Sequence, residues 1–145
     1  MTPLPKKPLE ILLVEDDPAD VNLTLDALRR SPVESRVRHA ADGEDAAAYL
    51  QQACPDLIIL DLNLPKKDGR ELLREIKADP RLRSIPVVIF TTSSAEQEVQ
   101  SAYGNYANCY VCKPVELDEY LARVQGMTRF WFDEAMLPPA SRFHK

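Results

Sequence analysis

Three unbroken aliphatic runs constrain this chain more than anything else in it. They are Ile11-Leu12-Leu13-Val14, Leu57-Ile58-Ile59-Leu60 and Val87-Val88-Ile89-Phe90. A strand with one wet face alternates polar and apolar residues. A run without alternation must be covered on both faces, as in the interior of a parallel sheet. Two weaker stretches complete the set. Arg36-Val37-Arg38-His39-Ala40 alternates and reads as an edge strand, and the short Cys109-Tyr110-Val111-Cys112 reads as the last strand and the other edge.

Helical patterns fill the gaps. Asp17-Pro18 offers an N-cap followed by proline at the first helical position, and Val21, Leu25 and Leu28 then share a face. Ala46, Ala47 and Leu50 mark a second helix after Asp42-Gly43, and Leu72, Leu73 and Ile76 a third after Asp68-Gly69. Ser94 with Gln97 predicts a capping box for a fourth. Leu117, Leu121, Val124, Thr128 and Trp131 predict a fifth, long helix interrupted at Gly126. The order βαβαβαβαβα implies an α/β fold, a parallel sheet with helices on both faces. A polar second and a short fifth strand favour the doubly wound, flavodoxin-like order 2-1-3-4-5.

The 145 residues suit one domain with a single core. A net charge of -5 argues against tracking a nucleic-acid backbone. No apolar run approaches the roughly 20 residues that span a bilayer, and the first residues lack the apolar stretch of a signal peptide. Three cysteines without framework spacing suit a reducing cytoplasm. Residues 1–8 read as a flexible arm, 9–127 as the domain, and 128–145 as a helical extension and tail.

In open α/β sheets, sites form beyond the carboxyl ends of the strands. Glu15, Asp16 and Asp17 follow the first run, Asp61 the third, Thr91 and Thr92 the fourth, and Lys113-Pro114 the fifth. Two carboxylates about 5 Å apart repel by roughly 3 kcal/mol at an effective dielectric near 20. The cluster therefore calls for protons or a hard cation. Oxygen donors suit Mg²⁺, with Mn²⁺ possible, and Lys113 neutralises part of the remainder. A carboxylate beside such an ion can attack phosphorus, with a hydroxyl and an ammonium gripping the transferred oxygens.

Glu15-Asp16, Asp61, Thr91 and Lys113-Pro114, in that order at strand ends, resemble the receiver domain of two-component response regulators. The resemblance spans roughly residues 9–127. It implies that Asp61 is the phosphoacceptor. It implies that Asp16 ligates the metal with Asp61 and the backbone carbonyl of Asn63, and that Glu15 acts through metal-bound water. It implies phosphoryl contacts from Thr91 and Lys113, a cis bond between Lys113 and Pro114, and an aromatic switch at Tyr110. Such a domain is a signalling switch, not an enzyme with a diffusible substrate, and it takes its phosphoryl group from a sensor histidine kinase or a small acyl phosphate. The loop Asp61-Leu62-Asn63-Leu64-Pro65-Lys66-Lys67-Asp68-Gly69 and the ending from Phe130-Trp131-Phe132 to Leu137-Pro138-Pro139 resemble single-domain regulators paired with bacterial and cyanobacterial phytochromes. These tend to form homodimers, so Phe130, Trp131 and Phe132 are candidate dimer contacts. That reading names a bacteriophytochrome kinase as partner, with no nucleic acid and no membrane.

Other readings compete. A haloacid-dehalogenase-like phosphohydrolase also uses an aspartate after a strand, but commonly has a general-acid aspartate two residues later, where this chain has Asn63. A pseudo-receiver would bind a partner without phosphate. Asp17 and Asp68 are explained by helix caps. Cys109 and Cys112 lie three apart on a strand, so they face opposite ways and make no redox pair. His39 and His144 have no companions.

Overall fold

The computed structural model describes residues 7–138. Five strands and five helices alternate: β1 Leu9–Val14, α1 Pro18–Arg30, β2 Ser35–Ala40, α2 Gly43–Leu50, β3 Leu57–Leu60, α3 Gly69–Ala78, β4 Val87–Thr91, α4 Glu96–Gly104, β5 Cys109–Cys112 and α5 Leu117–Arg129. A π-helical turn, Phe130–Glu134, follows. The sheet has the order β2-β1-β3-β4-β5, and every pairing is parallel. The candidate tail residues 139–145 and most of the candidate arm lie outside the described residues.

The period-2 geometry of a strand divides each aliphatic run between two cores. Leu12, Val14, Ile58, Leu60, Val87 and Ile89 face α2 and α3, packing with Leu50, Leu72, Leu73 and Ile76. Ile11, Leu13, Leu57, Ile59, Val88 and Phe90 face α1 and α5, packing with Ala27, Leu28, Tyr120, Val124 and Met127. That is why the runs lack polar positions.

Asp17, Asp42 and Asp68 each cap a helix, accepting from Ala19, Asp45 and Arg70 respectively. The capping box expected at Ser94 does not form. The fourth helix begins at Glu96 with Ala95 at its N-cap, and the Ser93 hydroxyl takes the Ala95 N–H at 3.3 Å. A serine turn at the strand exit thus replaces the cap one residue downstream. In α5 the buried stripe is Tyr120, Val124, Met127 and Thr128, whereas Leu117 is exposed. Tyr120 can be buried because its hydroxyl meets Thr24 Oγ1 at 3.1 Å. The helix runs through Gly126 without a break.

Two glycines matter through close approach. A Cβ on Gly69 would lie 2.3 Å from the Asp61 carbonyl oxygen, and one on Gly43 would lie 2.0 Å from that of Lys67. The start of α2 and the start of α3 therefore clamp the loop that follows β3.

The fourth helix ends in a Schellman motif. Tyr106 N–H donates to Tyr103 O at 2.9 Å and Ala107 N–H to Ala102 O at 3.0 Å. Tyr106 occupies the left-handed position, φ 70°, where glycine is the usual residue; a side chain costs about 1–2 kcal/mol there. This helix buries only Ala102. Polar contacts supply the rest of its anchorage: the Arg70 guanidinium, which also holds Asp68 and the Leu62 carbonyl, pairs with Glu98. The Tyr110 hydroxyl donates to Ser93 O at 2.8 Å.

At the β5 edge, Tyr110 N–H donates to the Tyr103 hydroxyl at 3.1 Å, and Arg123 donates to the Cys112 carbonyl at 3.2 Å.

Candidate functional site

The parallel register sets Val14 beside Leu60 and Thr91 beside Cys112. The residues that follow those strands consequently meet. Their backbones are fixed by bonds that continue the ladder: Glu15 N–H to Ala40 O at 3.1 Å, Asp61 N–H to Val14 O at 3.0 Å, and Lys113 N–H to Thr91 O at 2.7 Å.

Lys113 is the hub. Its side chain is 3% exposed, and its ammonium donates to Glu15 Oε1 at 2.5 Å, Asp20 Oδ2 at 2.8 Å and Asp61 Oδ2 at 2.9 Å. These three carboxylates hold the lysine well above its ordinary range, against the desolvation that opposes its charge. Asp61 is buried, and its other oxygen, Oδ1, accepts the Asn63 N–H at 3.1 Å. Glu15 Oε2 accepts from Asp17 N–H at 3.2 Å. Burial pushes the Glu15 carboxyl up to about 7, with Asp61 adding repulsion and the Lys113 hydrogen bond opposing the rise.

Glu15, Asp16 and Asp61 each offer a carboxylate oxygen, and these oxygens lie within 4.8 Å of one another. With Asp20 included, one ammonium answers four carboxylates. An excess of negative charge on oxygen donors, half buried and half open at Asp16, fits a hard divalent cation. Thr91 adds a second indication: its buried Oγ1 has no hydrogen-bond partner among the described residues. A buried hydroxyl left unpaired costs about 1–3 kcal/mol, so this donor is available to any group that binds beside it.

The structure thus brings together Glu15, Asp16, Asp61, Thr91 and Lys113. Asn63 is exposed and its N–H, not its carbonyl, is engaged. Tyr110 is half-buried and bonded to Ser93. The expected cis bond before Pro114 is a correction: no peptide bond among the described residues is cis. The trans form is favoured by about 0.5–1 kcal/mol for X–Pro, and with it Lys113 reaches all three carboxylates. Trp131 and Phe132 pack against the core of their own domain with Leu137. Phe130 is 50% exposed and sits edge-on to Trp131, ring centroids 5.1 Å apart.

Sequence reasoning missed two participants. Asp20 reads as an ordinary acidic residue in the first turn of a helix, favoured there by the dipole; its spacing of one turn from Asp16 was the available signal. His39 reads as solitary, yet its Nε2 lies 2.8 Å from the Glu15 carbonyl oxygen, tying the edge strand to the acidic turn.

Comparison with known proteins gives a consistent set of relatives. A family profile described as response regulator receiver domain matches residues 11–125. Response regulator Rcp1 of Synechocystis sp. is 45% identical over 140 residues, covering 92% of this chain and 95% of its own length. Two solved structures superpose closely. The phosphorylated cyanobacterial phytochrome response regulator RcpA gives a TM-score of 0.88 at 45% identity, covering 91% of this chain and 99% of that one. The Mn²⁺-bound form of Rcp1 gives 0.86 at 45% identity, covering 90% and 99%.

Proposed function

The chain belongs to the response regulator receiver domain family, and from that membership we propose that Asp61 is the residue on which it is phosphorylated. It is a response regulator of two-component signalling, and the dehalogenase reading falls away. The observation that carries the assignment of Asp61 is its setting: a buried carboxylate held between the Lys113 ammonium and the Asn63 N–H, with Glu15 and Asp16 oxygens within 4.8 Å.

Asp16, Asp61 and the Asn63 carbonyl would hold Mg²⁺, with Glu15 acting through a water; Mn²⁺, present in the Rcp1 structure, suits the same donors. The cation supplies charge neutralisation for an anionic donor approaching an acidic pocket. The Asp61 carboxylate attacks phosphorus. An O–P bond forms as the P–N bond of a kinase phosphohistidine breaks, and the imidazole leaves with its electron pair. Positioning and electrostatics do most of the work in such a transfer. Lys113 holds the Asp61 carboxylate in place beforehand and balances the phosphoryl charge afterwards. The Thr91 hydroxyl gains its missing partner from a phosphoryl oxygen, and that recruitment biases the loosely anchored α4 and Tyr110 toward a second packing.

The partner is a sensor histidine kinase. Similarity to phytochrome response regulators supports a bacteriophytochrome-type one. Output runs through protein contacts, including a homodimer in which Phe130 is the exposed member of the aromatic trio. No helix among the described residues is long and apolar enough to cross a membrane, and three free cysteines suit a reducing cytoplasm. The reading includes no turnover of a diffusible substrate.

The test is intact mass after incubation with acetyl phosphate, with and without Mg²⁺, on wild type and Asp61→Asn. One added phosphoryl group that requires Mg²⁺ and vanishes in the variant is expected. Normal incorporation into Asp61→Asn would remove Asp61 as acceptor, and no adduct even with a cognate kinase would leave a phosphate-independent binding module.

A further inference from the structure

At the opposite end of the sheet from Asp61, before β4 and β5 begin, the C-terminal ends of α3 and α4 border a shallow, open cleft of about 550 Å³. Lys77, Arg83, Tyr103, Tyr106 and Asn108 line it, and no acidic side chain does. In a chain of net charge -5, that makes it a local reversal of sign.

The donors in the cleft divide into two groups. Lys77 is spent on structure: its ammonium donates to Arg83 O at 3.0 Å, Ile85 O at 2.9 Å and Asn108 Oδ1 at 2.9 Å. It contributes field, not a hand. Arg83 has no side-chain hydrogen bond or ion pair among the described residues, and neither does the Asn108 amide nitrogen. The Tyr103 hydroxyl accepts from Tyr110 N–H and keeps its own proton to donate. The cleft therefore offers a guanidinium fork, an amide N–H and a phenolic O–H beside two exposed tyrosine rings.

Tyr106 is the informative residue. It is 74% exposed, so packing does not account for a tyrosine there. It stands at φ 70°, so the backbone disfavours it as well. Strain of this kind at an exposed ring points from the outlier to a use. An aromatic face beside an unpaired guanidinium stacks planar groups and holds anions.

We propose that this cleft binds a planar aromatic anion, its ring stacked on Tyr106 and its phosphate or carboxylate held by Arg83, Tyr103 and the Asn108 amide. The site is separate from the phosphoacceptor and does not depend on it. Adenosine monophosphate carries both halves of that chemistry, and inorganic phosphate carries only one.

The experiment is a two-dimensional amide NMR titration of the Mg²⁺-free full chain with adenosine monophosphate, and separately with inorganic phosphate. Saturable shifts confined to Arg83 and residues 103–108 are expected with the nucleotide, and much weaker ones with phosphate. Equal responses would overturn the aromatic half of the recognition, and shifts centred on Asp61 and Lys113 would overturn the location. Tyr106→Gly keeps the Schellman geometry and should melt above wild type, yet weaken nucleotide binding at least about fivefold, the low end of what one stacked base supplies. Arg83→Gln should weaken it comparably while leaving acetyl-phosphate labelling of the chain unchanged. A Tyr106→Gly protein that binds the nucleotide as wild type does would refute the proposal.

Discussion

Gly69→Ala should damage this protein, and Gly126→Ala should improve it, although both place one methyl group on a helix. At Gly69 the new Cβ would meet the Asp61 carbonyl oxygen at 2.3 Å, Leu62 Cα at 2.7 Å and Leu62 O at 2.9 Å. Comfortable separations are about 3.5–4.0 Å, so the neighbours must withdraw by roughly 1 Å, and all three are backbone atoms. Overpacking of this kind costs about 1–3 kcal/mol. The Gly69 N–H to Leu62 O bond at 3.0 Å would be strained too, worth about 1 kcal/mol more. A better helix propensity returns about 0.5–1 kcal/mol. The net loss is about 1–3.5 kcal/mol. At Gly126 nothing lies within 4 Å, leaving only a gain of about 0.4–1 kcal/mol. For a domain of this size each kcal/mol moves the midpoint by about 3–5 °C. Urea and thermal denaturation should therefore place the two variants on opposite sides of wild type. Labelling with acetyl phosphate should slow in Gly69→Ala, because the displaced carbonyl belongs to Asp61. Equal stability of the two variants would refute the clash argument; a destabilised Gly69→Ala that labels at the normal rate would refute its link to the site.

Four further outcomes follow from the site and its surroundings. Glu15 binds a proton in the folded state up to about 7, against an ordinary value of 4.5. The unfolded chain releases that proton earlier, so the metal-free protein should lose stability as pH rises from 4.5 to 7, by up to about 3 kcal/mol. Urea titrations in chelator should show this slope, and Glu15→Gln or saturating Mg²⁺ should flatten it. Lys113→Met strands three carboxylates and should cost about 3–5 kcal/mol at neutral pH, with recovery on acidification or on adding Mg²⁺; an unchanged melting curve would unseat Lys113 as the hub. Thr91→Val removes an unpartnered buried hydroxyl and should leave stability equal or raise it by about 1 kcal/mol, while the phosphorylation-dependent change in the NMR spectrum shrinks. Lys77→Met leaves two carbonyls and the Asn108 side chain short of a donor and should lower stability by about 1–3 kcal/mol, read by urea denaturation.

The sheet was legible because burial on both faces leaves a run such as Leu57-Ile58-Ile59-Leu60 no alternative. The site was legible where one residue follows one strand, as Asp61, Thr91 and Lys113 do. Asp20 was not, because its approach to Lys113 depends on how α1 leans over the strand ends, and an acidic first turn has a sufficient local explanation. The same limit hid the cap at Ala95 and the inward turn of Tyr120. Local hydrogen-bonding choices among Ser93, Ser94 and Ala95 differ by little energy, and a buried tyrosine needs a distant Thr24 that spacing does not reveal. Tyr106 was invisible for the opposite reason: no propensity argument places tyrosine at a left-handed position.

The fifth strand ends the sheet, and an end strand invites another chain to extend it. Here the Tyr103 hydroxyl covers one main-chain donor and the Arg123 guanidinium covers one main-chain acceptor. A strand arriving at this margin would first have to evict side chains from two helices. That margin is thereby guarded against strand addition, and a second copy of the chain meeting it would associate through side chains, in a contact subject to the movements of the helix that carries Tyr103.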